Sequence, residues 1–209
     1  MCKLFSTAKL FVLAGLVSMV ITLSPHIAQA VPAPGELAPD FTATDSEGNT
    51  QKLRDQKGSI VVLEWTNHDC PFVRKHYGSG NMQALQKEAN EQDIVWWSVI
   101  SSAPGKQGHV SPDQANELTN QRNAAPSAVL LDPEGTIGEL YGARTTPHMY
   151  VIDPEGELVY MGAIDDIPSA NESDVETANN YVRMALTAAQ KGQPAEPATT
   201  QPYGCSVKY

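Results

Sequence analysis

Cys70 lies in the segment Asn67-His68-Asp69-Cys70-Pro71-Phe72-Val73, directly after the apolar run of residues 60–65. A strand that runs through a short polar loop into a helix start is where an α/β fold places a reactive thiol. Pro71 suits the first helical position, where no amide proton is needed, so Cys70 falls at or just before a helix N-terminus. There the helix dipole and the free N–H groups stabilise a thiolate. Arg74 and Lys75 on the first turn are expected to help, and Asp69 to oppose them. The other reading is a buried, inert cysteine packed as a small apolar group. Three residues on, where a Cys-x-x-Cys redox pair would have its second thiol, the chain has Val73.

The remaining candidates are spread along the chain. Thr146-Pro147-His148 precedes the strand-like residues 149–153, and a cis bond at Pro147 would open the preceding backbone to an extended substrate or a thiol ligand. Glu64, inside the apolar run, reads either as a buried carboxylate of raised pKa able to act as a general base or as an ordinary strand acid reaching solvent. Cys205 stands near the C-terminus. It lies thirteen positions beyond Gly192, a reach of roughly 40 Å at about 3.3 Å per residue, against a radius of gyration of about 16 Å for a domain of this size. It can therefore resolve an oxidised Cys70, pin the tail in a static disulfide, or bridge to another molecule. With Cys70, the imidazoles of His68, His76 and His148 offer the soft and imidazole ligands that copper prefers.

The elements that must position these residues follow from periodicity. Residues 60–65 and 94–100 read as strands covered on both faces. Between them Met82, Leu85 and Ala89 recur at helical spacing after a break at Gly78-Ser79-Gly80. This is a βαβ unit, hence parallel strands and an α/β core. Residues 41–44 form a short strand ending in a turn. Ser111, Pro112 and Gln114 predict a capped helix start. Residues 128–135 and 150–156 each end a strand in an Asp-Pro-Glu-Gly turn, and the second continues into 158–161 as a β-hairpin. A final helix is expected with Ser173 as its cap, Val175, Ala178, Val182, Ala185 and Ala189 as its buried stripe, and Lys191-Gly192 as its end. The Pro-rich residues 192–209 are expected to be an irregular tail.

Composition bounds the rest. Residues 1–30 have the pattern of a signal peptide: Lys3 and Lys9, the apolar residues 10–23, and Ala28-Gln29-Ala30 before a cleavage point. An uncleaved anchor is the alternative, although the apolar stretch falls short of the about 20 residues of a membrane span. Cleavage would remove Cys2 and leave Cys70 and Cys205 in an exported chain, with the bacterial periplasm as the expected compartment, where disulfides persist. The formal charge is −10. Without Lys3 and Lys9, twelve basic residues face the same twenty-four acidic ones, a balance of −12. That opposes nucleic acid and anionic membrane as partners. One domain over residues 31–191 suits this length.

Ala38-Pro39-Asp40-Phe41, the strand into Cys70, Thr146-Pro147 and the Asp153-Pro154-Glu155-Gly156 hairpin resemble the thioredoxin fold in its exported thiol-disulfide oxidoreductase and peroxiredoxin branches, over residues 33–190. Asn67-His68-Asp69-Cys70-Pro71-Phe72-Val73 and Gly204-Cys205-Ser206-Val207-Lys208-Tyr209 are similar to a peroxiredoxin-like redoxin family with one active-site cysteine and a Gly-Cys-Ser-(Ile/Val)-Lys-aromatic C-terminus. The resemblance implies a central mixed sheet flanked by helices and a C-terminal helix. It implies thiol redox or antioxidant chemistry at Cys70 without an organic cofactor or metal, and a partner that is a thiol protein reductant or a protein disulfide. Glu64 matches the buried acid of thioredoxins. The chain departs from peroxiredoxins at Asn67, where they have Thr or Ser, and near Pro147, where they have an arginine; Arg144 is the candidate to replace it. A non-enzymatic binding module and a copper carrier are the other functions the residues allow.

Overall fold

The computed structural model describes Met1 and residues 31–209. The leader read in the sequence, with Cys2, falls on residues 2–30 and lies outside the described residues. Among the described residues no helix is long and apolar enough to cross a membrane.

The chain opens with a hairpin of β1 (Thr42–Asp45) and β2 (Thr50–Lys52). It continues through β3 (Val61–Trp65), α1 (Pro71–Gly78), α2 (Asn81–Asn90) and β4 (Val95–Ile100). Then come α3 (Pro112–Gln121), β5 (Ala128–Leu131), α4 (Thr136–Tyr141) and β6 (Thr145–Thr146). β7 (His148–Ile152), β8 (Leu158–Gly162), α5 (Tyr181–Gln190) and β9 (Cys205–Ser206) complete it. The main sheet runs β2-β1-β5-β4-β3-β7-β8. β3, β4 and β5 are parallel, whereas β7 and β8 add an antiparallel hairpin to one side and β1 and β2 another to the far side. The expected mixed sheet and βαβ unit are thus present.

β3 is buried along its whole length because both sheet faces are covered. Val62 packs with Met82, Leu85 and Ala89 of α2, Trp96 of β4 and Val182 and Ala185 of α5. On the other face, Leu63 and Trp65 pack with Phe41, Trp97, Tyr141 and Tyr150. The adjacent tryptophans of β4 therefore serve opposite cores, as the two-residue period of a strand requires. Full burial of side chains this large contributes about 1.5–3 kcal/mol each.

Local signals held in one place and moved in another. Ser111 and Gln114 form the expected reciprocal capping box at α3. The final helix, however, starts later than Ser173: that residue lies in a separate 3-10 helix, Glu172–Glu176, and Asn180 caps α5 by accepting from Arg183 N–H. Val175 and Ala178 are consequently only half-buried, and the buried stripe is Val182, Ala185, Leu186 and Ala189. Asn171 accepts from Ser173 N–H and breaks the register, so Ser173 has no helix of its own to cap.

The tail is irregular apart from β9, but it is docked. Thr200 bonds Tyr160, Ala163 and Met161 beside β8. β9 then pairs antiparallel with β6 in a second, two-stranded sheet.

Candidate active site

The topology explains why Cys70 and Pro147 meet. β7 runs antiparallel to β3, with His148 opposite Trp65, so the C-terminal end of β3 lies beside the N-terminal end of β7. Cys70 is the N-cap of α1, and Thr146-Pro147, joined by a cis bond, leads into β7. The loop between β3 and α1 is shaped by Asn67. Its Oδ1 accepts from Asp69 N–H at 2.9 Å, its Nδ2 donates to Gln107 O at 3.2 Å, and its carbonyl accepts from Cys70 N–H at 3.0 Å. A Cβ on Gly108 would come within 2.4 Å of the Asn67 side chain, so the close approach of these two loops requires glycine there.

Cys70 is fully buried. Its thiol donates to Thr146 O at 3.0 Å. Cys205 sits opposite Thr146 in the β6–β9 pairing, beside the carbonyl that accepts from the Cys70 thiol, near enough for each thiol to shift the other's pKa. Both are reduced. Burial by itself would push the Cys70 thiol up, but hydrogen bonds from the Cys205 thiol and from Val73 N–H and Cys205 N–H outweigh it, and the net direction is down. The Thr146 hydroxyl, which has no oxygen or nitrogen partner, adds to this support for the thiolate. Burial and the neighbouring Cys70 push Cys205 the other way, up to about 11. The two thiols are therefore shifted in opposite directions, Cys70 toward the thiolate and Cys205 toward the protonated form.

This asymmetry sets the titration of the pair. Thiolate absorbance against pH shows a first step below the ordinary cysteine value and a second near 11. Cys70→Ala draws the second step downward, because the neighbouring thiolate that raises it is gone. Two coincident steps at the ordinary value are the contrary result.

The charges expected to assist Cys70 are used elsewhere. Arg74 binds Asp69 at 3.0 Å and His68 O at 3.2 Å, and Lys75 turns into the core. Support for the thiolate comes from N–H groups and the second thiol instead. Arg144 is exposed, and its backbone pairs with Val207. Arg122, not singled out in the sequence, binds His68 O at 3.1 Å and lies 4.9 Å over the Tyr77 ring.

Glu64 is buried, as one of its two readings has it, and accepts from Tyr77 O–H, Gln86 Nε2, Trp96 Nε1 and Ser98 O–H at 2.9–3.2 Å. Burial raises its pKa against those bonds. None of its bonds reaches either cysteine. His148 is buried with Nδ1 facing Arg144 N–H and the Tyr150 hydroxyl, and burial followed by the Arg144 charge lowers it to about 3. His68 pairs with Asp69. Among the described residues, no three His, Cys, Asp or Glu side chains are grouped to hold a metal ion, so His68, His76 and His148 do not assemble with Cys70.

The tail is anchored on both sides of Cys205, which sequence reasoning missed. Tyr203 donates to Asp165 Oδ1 and accepts from Lys75 Nζ at 3.3 Å. Lys75 and Asp165 are buried and 3.1 Å apart. Tyr209 donates to Ala143 O at 2.7 Å and lies against Gly135 and Gly138, where a Cβ would come within 2.4 Å of its ring or hydroxyl. The Gly-Cys-Ser-Val-Lys-Tyr ending marked part of this. Nothing local marked Asp165, and Lys75 was read as a helper of Cys70 rather than as the partner of an acid 90 positions away.

Comparison with known proteins agrees with the geometry. The thiol-disulfide oxidoreductase ResA of Halalkalibacterium halodurans is 27% identical over 129 residues, which are 60% of this chain and 65% of that protein, slightly under two thirds of its length. An uncharacterised conserved protein of Geobacillus kaustophilus superposes with a TM-score of 0.70 at 25% identity, over 86% of this chain and 93% of that one. A thioredoxin candidate of Neisseria meningitidis shares the fold alone, with a TM-score of 0.52 at 14% identity over 75% of this chain and 94% of that one. The fold is thioredoxin-like. The AhpC/TSA family model matches residues 34–161, more than half of the chain, and the protein belongs to the AhpC/TSA family.

Proposed function

We propose that this protein is an exported thiol-disulfide oxidoreductase in which Cys70 is the nucleophile and Cys205 the resolving thiol. The observation that carries the reading is that Thr146 joins the two cysteines, its carbonyl accepting from the Cys70 thiol and its backbone pairing with Cys205, with one thiol lowered and the other raised in pKa. Once the tail lifts from Thr146 and uncovers the buried Cys70, its thiolate attacks one sulfur of a partner protein's disulfide. The partner's second sulfur leaves as a thiolate and takes a proton from solvent. Cys70 is then in a mixed disulfide and uncharged, so the part of the Cys205 shift due to Cys70 disappears and Cys205 ionises more readily. Its thiolate attacks Cys70 Sγ, the partner leaves as a dithiol, and the chain holds a Cys70–Cys205 disulfide. A thiol protein reductant returns the two electrons. Thr146 supports the thiolate, and Pro147 fixes the backbone that carries Thr146.

Disulfide exchange is favoured over peroxide reduction because the positions where peroxiredoxins have Thr or Ser and an arginine fall at Asn67 and near Pro147 here. Asn67 spends its amide on the loop, and Arg74 and Arg122 bind Asp69 and His68. Export is supported by the leader pattern of residues 1–30.

Incubating the reduced chain with oxidised glutathione or oxidised dithiothreitol, followed by peptide mass mapping, tests the reading. The expected product is a Cys70–Cys205 disulfide that dithiothreitol reverses and that the Cys70→Ala chain cannot form. If both thiols remain free to alkylate after the oxidant, the reading fails.

A further inference from the structure

Cys205 resolves Cys70 only if the tail delivers it there, and the length of that tail makes delivery costly. An unanchored segment of thirteen residues beyond Gly192 samples a wide volume, and a flexible tether of that kind supplies an effective concentration only in the millimolar range. Here the segment is ordered at a residue that has no sulfur chemistry. Tyr203 stands two positions before Cys205. Its ring meets Phe72 edge-on with centroids 5.8 Å apart and lies 5.5 Å from Lys75 Nζ. Its hydroxyl donates to Asp165 and accepts from Lys75 and from His76 Nε2 at 3.4 Å. His76 is set for this by Asn81, which donates to its other ring nitrogen at 2.9 Å. Phe72, Lys75 and His76 all belong to α1, the helix that Cys70 caps. The anchor of the resolving cysteine and the nucleophile are therefore built on one rigid element.

We propose that Tyr203 is a positioning residue whose seat on Phe72, Lys75, His76 and Asp165 holds Cys205 against Cys70 and thereby sets the equilibrium between their thiol and disulfide states. The proposal rests on the resolving role given to Cys205. Formation of the disulfide is Cys70-SH plus Cys205-SH plus oxidised glutathione giving Cys70-S-S-Cys205 plus two molecules of reduced glutathione. When the reduced tail is already seated, the ordering cost of ring closure is met before the bond forms. The same seat covers Cys70: Gly204 lies so close to Thr146 that a Cβ there would come within 2.1 Å of its carbonyl oxygen, and Cys70 keeps no exposed surface.

Two measurements on full-length chains test this. In glutathione mixtures, Tyr203→Ala lowers the equilibrium constant for the internal disulfide by about tenfold or more, and Tyr203→Phe, which keeps the ring and loses the hydroxyl, recovers part of it. In a Cys205→Ser background, where no disulfide can form, Tyr203→Ala raises the iodoacetamide alkylation rate of Cys70 by about tenfold, with Tyr203→Phe between. The second measurement reads positioning even if the unaltered chain forms no internal disulfide, a result that would sink the resolving role alone. If alkylation in the Tyr203→Ala chain stays within about twofold of its parent, the tail is not held by Tyr203 and the proposal is overturned.

Discussion

A Cys205→Ser chain treated with oxidised glutathione accumulates Cys70 as a glutathione mixed disulfide, while the unaltered chain passes through that species to the internal disulfide. Serine is nearly the same size and keeps a hydroxyl where the thiol was, so the β6–β9 pairing and its N–H contact to Cys70 survive. What is lost is the second nucleophile. An external thiol at millimolar concentration then has to release the trapped partner. Turnover falls by about a hundredfold or more, because a docked neighbouring thiol exceeds the millimolar supply of a loose tether. Intact mass after rapid alkylation separates the adduct from the internal disulfide. Undiminished turnover with no added thiol and no trapped adduct would remove Cys205 from the mechanism.

The second large effect concerns stability. Asp165→Ala leaves the Lys75 ammonium without its anion in a site where the two side chains are 0% and 2% exposed. Ile167 O at 2.8 Å and the Tyr203 hydroxyl remain as partners, but neither has a charge to offset the desolvation. Breaking a buried pair from one side costs about 3–5 kcal/mol, a large part of the about 5–15 kcal/mol that keeps a domain folded. Urea unfolding of the two chains, compared at equal slope, measures the loss. Replacing both partners, Lys75→Met with Asp165→Asn, recovers most of it, since the penalty lies in the unpaired charge more than in the absent bridge. A loss below about 1 kcal/mol for Asp165→Ala would mean that water reaches the pair, as it does at an exposed ion pair.

These two expectations draw on different parts of the chain. The placement of Cys70 at a helix N-terminus was visible in short-range chemistry: a buried strand, a polar loop, a thiol and a proline at the first helical position. Local rules were enough because helix capping and strand alternation act over a few residues. The same rules failed at Ser173, whose pattern resembled a helix cap, because Asn171 and Asp174 capture the local backbone and side-chain bonds first.

By itself, the sequence determined the α/β class, the βαβ unit and the β7–β8 hairpin, and it offered Pro147 as a candidate cis proline and Cys70 and Cys205 as candidate reactive thiols. Tertiary structure alone decided which groups act on those thiols. It turned Arg74 and Lys75 away from Cys70, enclosed Glu64 in a bond network of its own, and seated the tail through Tyr203 and Tyr209. The physical reason is range. Helix and strand preferences are written in neighbours, whereas the position of Cys205 depends on a buried Lys75–Asp165 pair and on two glycines that let an aromatic ring approach the backbone. Such contacts join residues whose separation along the chain no periodicity encodes.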